Sequence, residues 1–203
     1  MNSLKNFYNL PLYNYSSTQF NLPDWLCNEL FKFSLKNIQE NSLHFSKTEM
    51  YPRETEFHIT ILYGIFDLSS NKIEELLKEY FFTDAIEVKL GKISKFDNEK
   101  YDVIKIDIFD KKNLLEELFS VFSENLENAN KFPLYHPHIT LTYVEKGSCD
   151  HLIGNDHFEN LDIKLDVLKF SSKNPELSKF IKLNNNINKI TEINNFYKFL
   201  FLK

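Results

Sequence analysis

Two stretches of this chain match closely, eighty positions apart: His58-Ile59-Thr60-Ile61-Leu62-Tyr63 and His138-Ile139-Thr140-Leu141-Thr142-Tyr143. They agree at four of six positions. With six histidines and eight threonines among 203 residues, fewer than one His-x-Thr triplet is expected by chance, and two are present. Side chains on a β-strand alternate between faces, so each triplet shows an imidazole and a hydroxyl on one face and buries its isoleucine on the other. Two such strands set side by side, related by approximate twofold symmetry, would give a cleft in which two imidazoles flank two hydroxyls. That set suits phosphodiester cleavage. One neutral histidine takes a proton from the attacking oxygen and a second, protonated, gives one to the departing oxygen. The threonine hydroxyls donate to the non-bridging oxygens, where charge builds. Neither a metal nor a cofactor is required. Strict alternation places Tyr63 and Tyr143 on the isoleucine face, as core residues.

Composition bounds the substrate. The net charge of −5 argues against a broad surface for long nucleic acid, because such surfaces neutralise many phosphates. A small nucleotide or short oligonucleotide fits a local positive charge instead. Of 24 basic residues only Arg53 is arginine, and a bidentate fork is what lysine cannot supply. Arg53 lies five residues before His58 and is a candidate phosphate contact. Tyr135 is a candidate base-stacking residue. His136, two residues before His138 and able to face the same way, is a further substrate-binding candidate. Lys173, with Lys169 near it, is a candidate phosphate contact from the last hairpin. The His136-Pro137-His138 spacing also suits metal ligands, so a metal-dependent hydrolase is the alternative; no Asp, Glu or Cys in the strand supports it. Cys27 and Cys149 form no Cys-x-x-Cys pattern and read as reduced thiols. No apolar run reaches the ~20 residues of a membrane span, and the first residues lack a signal-peptide pattern. A cytoplasmic location is expected, in a cell or an infected host.

The elements that would position these groups are legible in outline. A strand is predicted over Tyr13 to Asn21, then a helix opening at Pro23-Asp24 through Leu26, Leu30 and Phe33 and fading near Gln39. A polar loop follows from Ser42 to Glu56, then the first motif strand from Phe57 to Gly64. A short helix over Ile73, Leu76 and Leu77 precedes a hairpin of 86–96 and 101–109. Asp110 caps a third helix through Leu115, Leu118 and Phe122. The second motif strand covers 139–144, and 161–171 with 177–183 read as a last hairpin. Residues 1–183 form one two-lobed domain, and 184–203 an appendage. Hairpins outnumber βαβ signals, which predicts an α+β protein with antiparallel sheets.

The doubled motif resembles the two-histidine (2H) phosphoesterase superfamily, which includes bacterial 2′-5′ RNA ligase-like proteins and cyclic phosphodiesterases. The resemblance runs from Ser17-Thr18-Gln19-Phe20-Asn21-Leu22-Pro23 through Arg53-Glu54, His58 to Gly64 and His138 to Tyr143, to Phe170-Ser171-Ser172-Lys173. It implies a bilobal LigT-like fold, two antiparallel sheets flanking a central cleft with about three helices outside. It also implies that His58, Thr60, His138 and Thr140 are the catalytic set. Members act on 2′-5′ linkages, on cyclic phosphates or on cyclic oligonucleotide signals, and some phage members destroy host immune messengers. A module that binds a nucleotide signal without cleaving it is the non-catalytic alternative.

Overall fold

Strands with one apolar face must pair along their edges and be covered on that face. The computed structural model describes residues 15–45, 53–80, 84–132 and 134–183. Its elements in chain order are β1 (Ser16–Asn21), α1 (Asp24–Asn37), β2 (His58–Ile65), α2 (Asn71–Glu79), β3 (Ile86–Asp97), β4 (Tyr101–Phe109), α3 (Leu114–Asn125), β5 (His138–Glu145), β6 (Asp162–Leu165), β7 (Val167–Ser171) and β8 (Lys179–Lys182). The strands form two antiparallel four-stranded sheets, ordered β2-β1-β7-β8 and β5-β4-β3-β6. The α+β expectation is met. The stretch 184–203 lies outside the described residues.

Each motif strand is the edge of its own sheet, and β2 and β5 meet there. The isoleucine faces are covered crosswise, α3 packing on β2 and α1 on β5. Ile59, Ile139, Leu141, Leu26, Leu30, Leu118 and Phe122 lie in one continuous core. With helices on that face, the His and Thr face is left for other work.

The two halves are also laced together. The chain approaching β2 first runs along β5: Leu43 bridges Val144, and the Glu54 N–H donates to the Leu141 carbonyl at 3.4 Å. The chain approaching β5 runs along β2 in the same way. Asn128 bridges Ile65, and the Ala129 N–H donates to the Gly64 carbonyl at 2.8 Å. Gly64 has φ +88, and a Cβ there would stand 3.2 Å from the Ala129 nitrogen. Glycine therefore serves both the backbone turn and the close approach.

One expectation changes. The run 161–171 is not one strand: it breaks at Asp166, with β6 pairing β3 in one sheet and β7 pairing β1 in the other. The Asp166 carbonyl at this crossing accepts from the Leu183 N–H at 2.7 Å. The Asp110 carboxylate does cap α3, accepting from the N–H groups of Lys112 and Leu115. The residue directly before the helix is Asn113, in the left-handed region at φ 55, which asparagine tolerates.

Candidate active site

Both motif histidines are the first residues of their strands and are half-buried. Each ring Nδ1 lies 2.6 Å from a carbonyl oxygen two residues earlier, Glu56 for His58 and His136 for His138. A carbonyl only accepts, so Nδ1 carries the proton in each neutral ring and Nε2 is left with a free lone pair. The two imidazoles are thus held in the same tautomer by the same local device. Thr60 and Thr140 share their faces and are half-buried. Among the described residues neither hydroxyl has a hydrogen-bond partner in the protein.

The environments of the two histidines differ. His138 packs its ring edge-on against Phe96, centroids 4.8 Å apart. Burial holds its pKa below the ordinary value of 6.5, and the charges of Lys105 and His58 push the same way; the His136 carbonyl and Asp107 oppose them. The strands that carry the two rings, β2 and β5, meet at the seam between the sheets. Strand register sets what stands beside each motif. Asn21 lies opposite His58 and Gln19 opposite Thr60, while Asp107 lies opposite His138 and Lys105 opposite Thr140.

A bulge in each motif strand corrects the reading of the tyrosines. Thr18 pairs Leu62 and Gln19 pairs Thr60, leaving Ile61 as an extra residue; Ile104 pairs Thr142 and Lys105 pairs Thr140, leaving Leu141 extra. One extra residue reverses the alternation beyond it. Tyr63 and Tyr143 therefore return to the His and Thr face instead of the isoleucine face. Tyr63 is 49% exposed. Tyr15 packs edge-on against it at 6.0 Å, and Tyr101 tilts against Tyr143 at 5.8 Å.

Comparison with solved structures adds the frame. Escherichia coli LigT, solved with phosphate, superposes with a TM-score of 0.54 at 14% identity, covering 84% of this chain and 94% of LigT. The fold is LigT-like. Usb1 of Kluyveromyces marxianus gives a TM-score of 0.53 at 14% identity, over 84% of this chain and 98% of Usb1. Both neighbours have also been solved with nucleotides, LigT with 3′-AMP and Usb1 with uridine monophosphate. No protein-family model matches the sequence, and no curated protein matches it.

Within this LigT-like frame the other candidates fall in different places. Arg53 is buried, and its guanidinium closes the C-terminal end of α1. Nη1 donates to the Ser34 carbonyl and hydroxyl at 2.8 and 2.9 Å, Nη2 to the Ile38 carbonyl, and Nε to Glu40 at 3.0 Å. The fork is spent on helix carbonyls, which removes Arg53 from the substrate-binding set. Tyr135 stacks on Phe119 with centroids 4.9 Å apart, and its hydroxyl donates to the Thr60 carbonyl at 2.9 Å. It is a tie from the approach to β5 onto β2, in place of a base platform. His136 is exposed on the loop whose carbonyl holds His138. The Lys173 N–H donates to Ser16, five residues along β1 from the partner of His58, or about 17 Å. Lys173 stands well away from the imidazoles.

Gln19, Asn21, Lys105, Asp107 and the two tyrosines are the site residues that sequence reasoning missed. Only pairing register, which leaves no mark in the sequence, puts Lys105 opposite Thr140 and Asp107 opposite His138. Among the described residues no group of three or more His, Cys, Asp or Glu is arranged to hold a metal ion. A cavity of about 540 Å³ lined by Phe109, Asp110, Lys112 and Pro137 opens beside the start of β5 and takes in none of the motif residues.

Proposed function

We propose that this chain is a metal-independent phosphodiesterase acting on a small cyclic nucleotide, a cyclic oligonucleotide, or a 2′-5′-linked or 2′,3′-cyclic RNA end. The observation that carries the reading is the matched pair of imidazoles, each with Nδ1 tied to a carbonyl 2.6 Å away and Nε2 left for substrate. In hydrolysis, one neutral Nε2 removes a proton from water as its oxygen bonds to phosphorus. The bond to the leaving oxygen breaks, and the Nε2–H of the other imidazolium moves to that oxygen. Thr60 and Thr140 donate to the non-bridging oxygens through the transition state.

Nucleotide chemistry is supported by what flanks this centre. The bulges bring Tyr63 and Tyr143 onto the reactive face, where rings of this kind stack on bases. Across the first sheet, Thr60, Gln19, Lys169 and Phe180 lie opposite one another in a single row. The Lys169 ammonium lies 5.8 Å from the Phe180 ring centre, and Phe180 is 61% exposed. A row of hydroxyl, amide, ammonium and aromatic ring suits a second phosphate and a base beyond the scissile one. The nucleotides held by LigT and Usb1 agree with this substrate class.

The test is incubation with cyclic dinucleotides, 2′,3′-cyclic nucleotides and 2′-5′-linked dinucleotides in EDTA. Cleavage should persist under chelation, with a bell-shaped pH profile. His58→Ala and His138→Ala should each lower kcat by about 10²–10⁴-fold. Strict dependence on added Mn²⁺ or Zn²⁺ would overturn the mechanism, and stoichiometric binding without product would make the protein a binding module.

A further inference from the structure

The two half-sites share a motif and differ in what faces it. At equivalent positions the first sheet has two neutral amides, Gln19 and Asn21, linked by a 3.2 Å hydrogen bond. The second has an ion pair, Lys105 with Asp107. Lys105 is 6% exposed. Its ammonium donates to the Ser94 hydroxyl at 2.7 Å and to Asp107, and sits 4.5 Å from the centre of the Phe96 ring. The Ser94 hydroxyl in turn donates to Asp107 at 2.8 Å. This is a cation fixed on every side, against the same aromatic ring that His138 abuts.

We infer that the Lys105–Asp107 pair is a positioning device that keeps His138 unprotonated, making His138 the base and leaving His58 the acid. The inference rests on the phosphodiesterase reading above. The groups facing His138 are Lys105 and Asp107 from β4, uncharged Ser94 and Phe96 from β3, and His58 from β2. A proton on His138 would set a second cation beside Lys105, both against the ring of Phe96. Asp107 offers little relief, since Lys105 and Ser94 already engage its carboxylate. The groups facing His58 are Asn21 and Gln19, both neutral, and beyond them Lys169, 3.7 Å from Glu56. Among the described residues no comparable fixed cation adjoins His58. Burial depresses the proton affinity of His138 in the same sense. A neutral His138 Nε2 then takes the proton of the attacking oxygen, and His58 gives its own to the leaving oxygen. Exchange with solvent resets both rings.

Lys105→Gln/Asp107→Asn copies the amide pair of the first sheet into the second, so no charge is orphaned and the fold has a precedent in the same molecule. In this variant the acid limb of the kcat/KM profile should move up by about one pH unit, with the alkaline limb in place. Asp107→Asn alone, which unmasks Lys105, should move the acid limb down. The substrate-free readout is the NMR titration of the His138 Cε1–H, assigned by its loss in His138→Asn, and its midpoint should follow the same two directions. An unmoved His138 midpoint in both folded variants overturns the inference. So does a double variant in which only the alkaline limb moves, since His138 would then be the acid. Shifted midpoints with no turnover on any phosphodiester would sink the proposed function, and the base assignment with it, while upholding the charge coupling.

Discussion

Each motif histidine is oriented by the short stretch of chain that carries it, because its Nδ1 proton goes to a carbonyl two residues back. The same economy holds three residues beyond each threonine, where a bulge turns Tyr63 and Tyr143 onto the reactive face. A stacked base contributes ~1–3 kcal/mol when the ring is deleted. Tyr63→Ala and Tyr143→Ala should therefore raise KM for nucleotide substrates by roughly 10-fold each, with kcat changed far less. The phenylalanine variants, which keep the ring, should stay near the parent. Steady-state kinetics on one cleaved substrate checks this; an unchanged KM in both alanine variants would mean that neither ring touches the base.

At the scale of elements, helices were legible because burial imposes its period on the sequence: Leu26, Leu30 and Phe33 on α1 are buried where they were expected. Long-range partners impose no such period. Arg53 shows the limit, since its rarity marked it as special but its partners are the backbone carbonyls of Ser34 and Ile38, which no residue pattern announces. Tyr135 was misread for the same reason, its partner being the Thr60 carbonyl. The bulges at Ile61 and Leu141 were hidden because a two-residue period looks the same in sequence on either side of them. Arg53 nonetheless yields a prediction at this scale. Its fork satisfies the C-terminal end of α1 and anchors the chain that enters β2. Arg53→Met should cost about 2–4 kcal/mol of folding stability, because buried acceptors lose a charged donor. Urea denaturation measures the loss, and kcat per folded molecule should stay close to the parent. A stable Arg53→Met with impaired KM would return Arg53 to the substrate.

For the whole molecule the crosswise lacing ties the candidate site to stability. Each motif strand is packed by a helix and bridged by the chain leading to the other motif. A proton that disturbs the site therefore disturbs the fold. His138 has a folded pKa below its ordinary value of 6.5, chiefly from burial, so the unfolded chain binds the proton more readily. Stability is then full above about 6.5 and declines as pH falls from there through the folded pKa. Two carboxylates act later in the same direction. Glu74, hydrogen-bonded by Lys179 and Ser70, and Asp97, by Lys146, are held below their ordinary values of 4.5 and 3.8. Their contributions are present above those values and lost as pH falls through the lowered ones. Two separate declines should appear in the urea midpoint, one setting in as pH falls below about 6.5 and one below about 4.5. His138→Gln should flatten the first and leave the second, because the glutamine cannot take up the proton. A variant that keeps the upper decline would show that a group other than His138 governs it, and that the seam between the sheets is not where acid first loosens this protein.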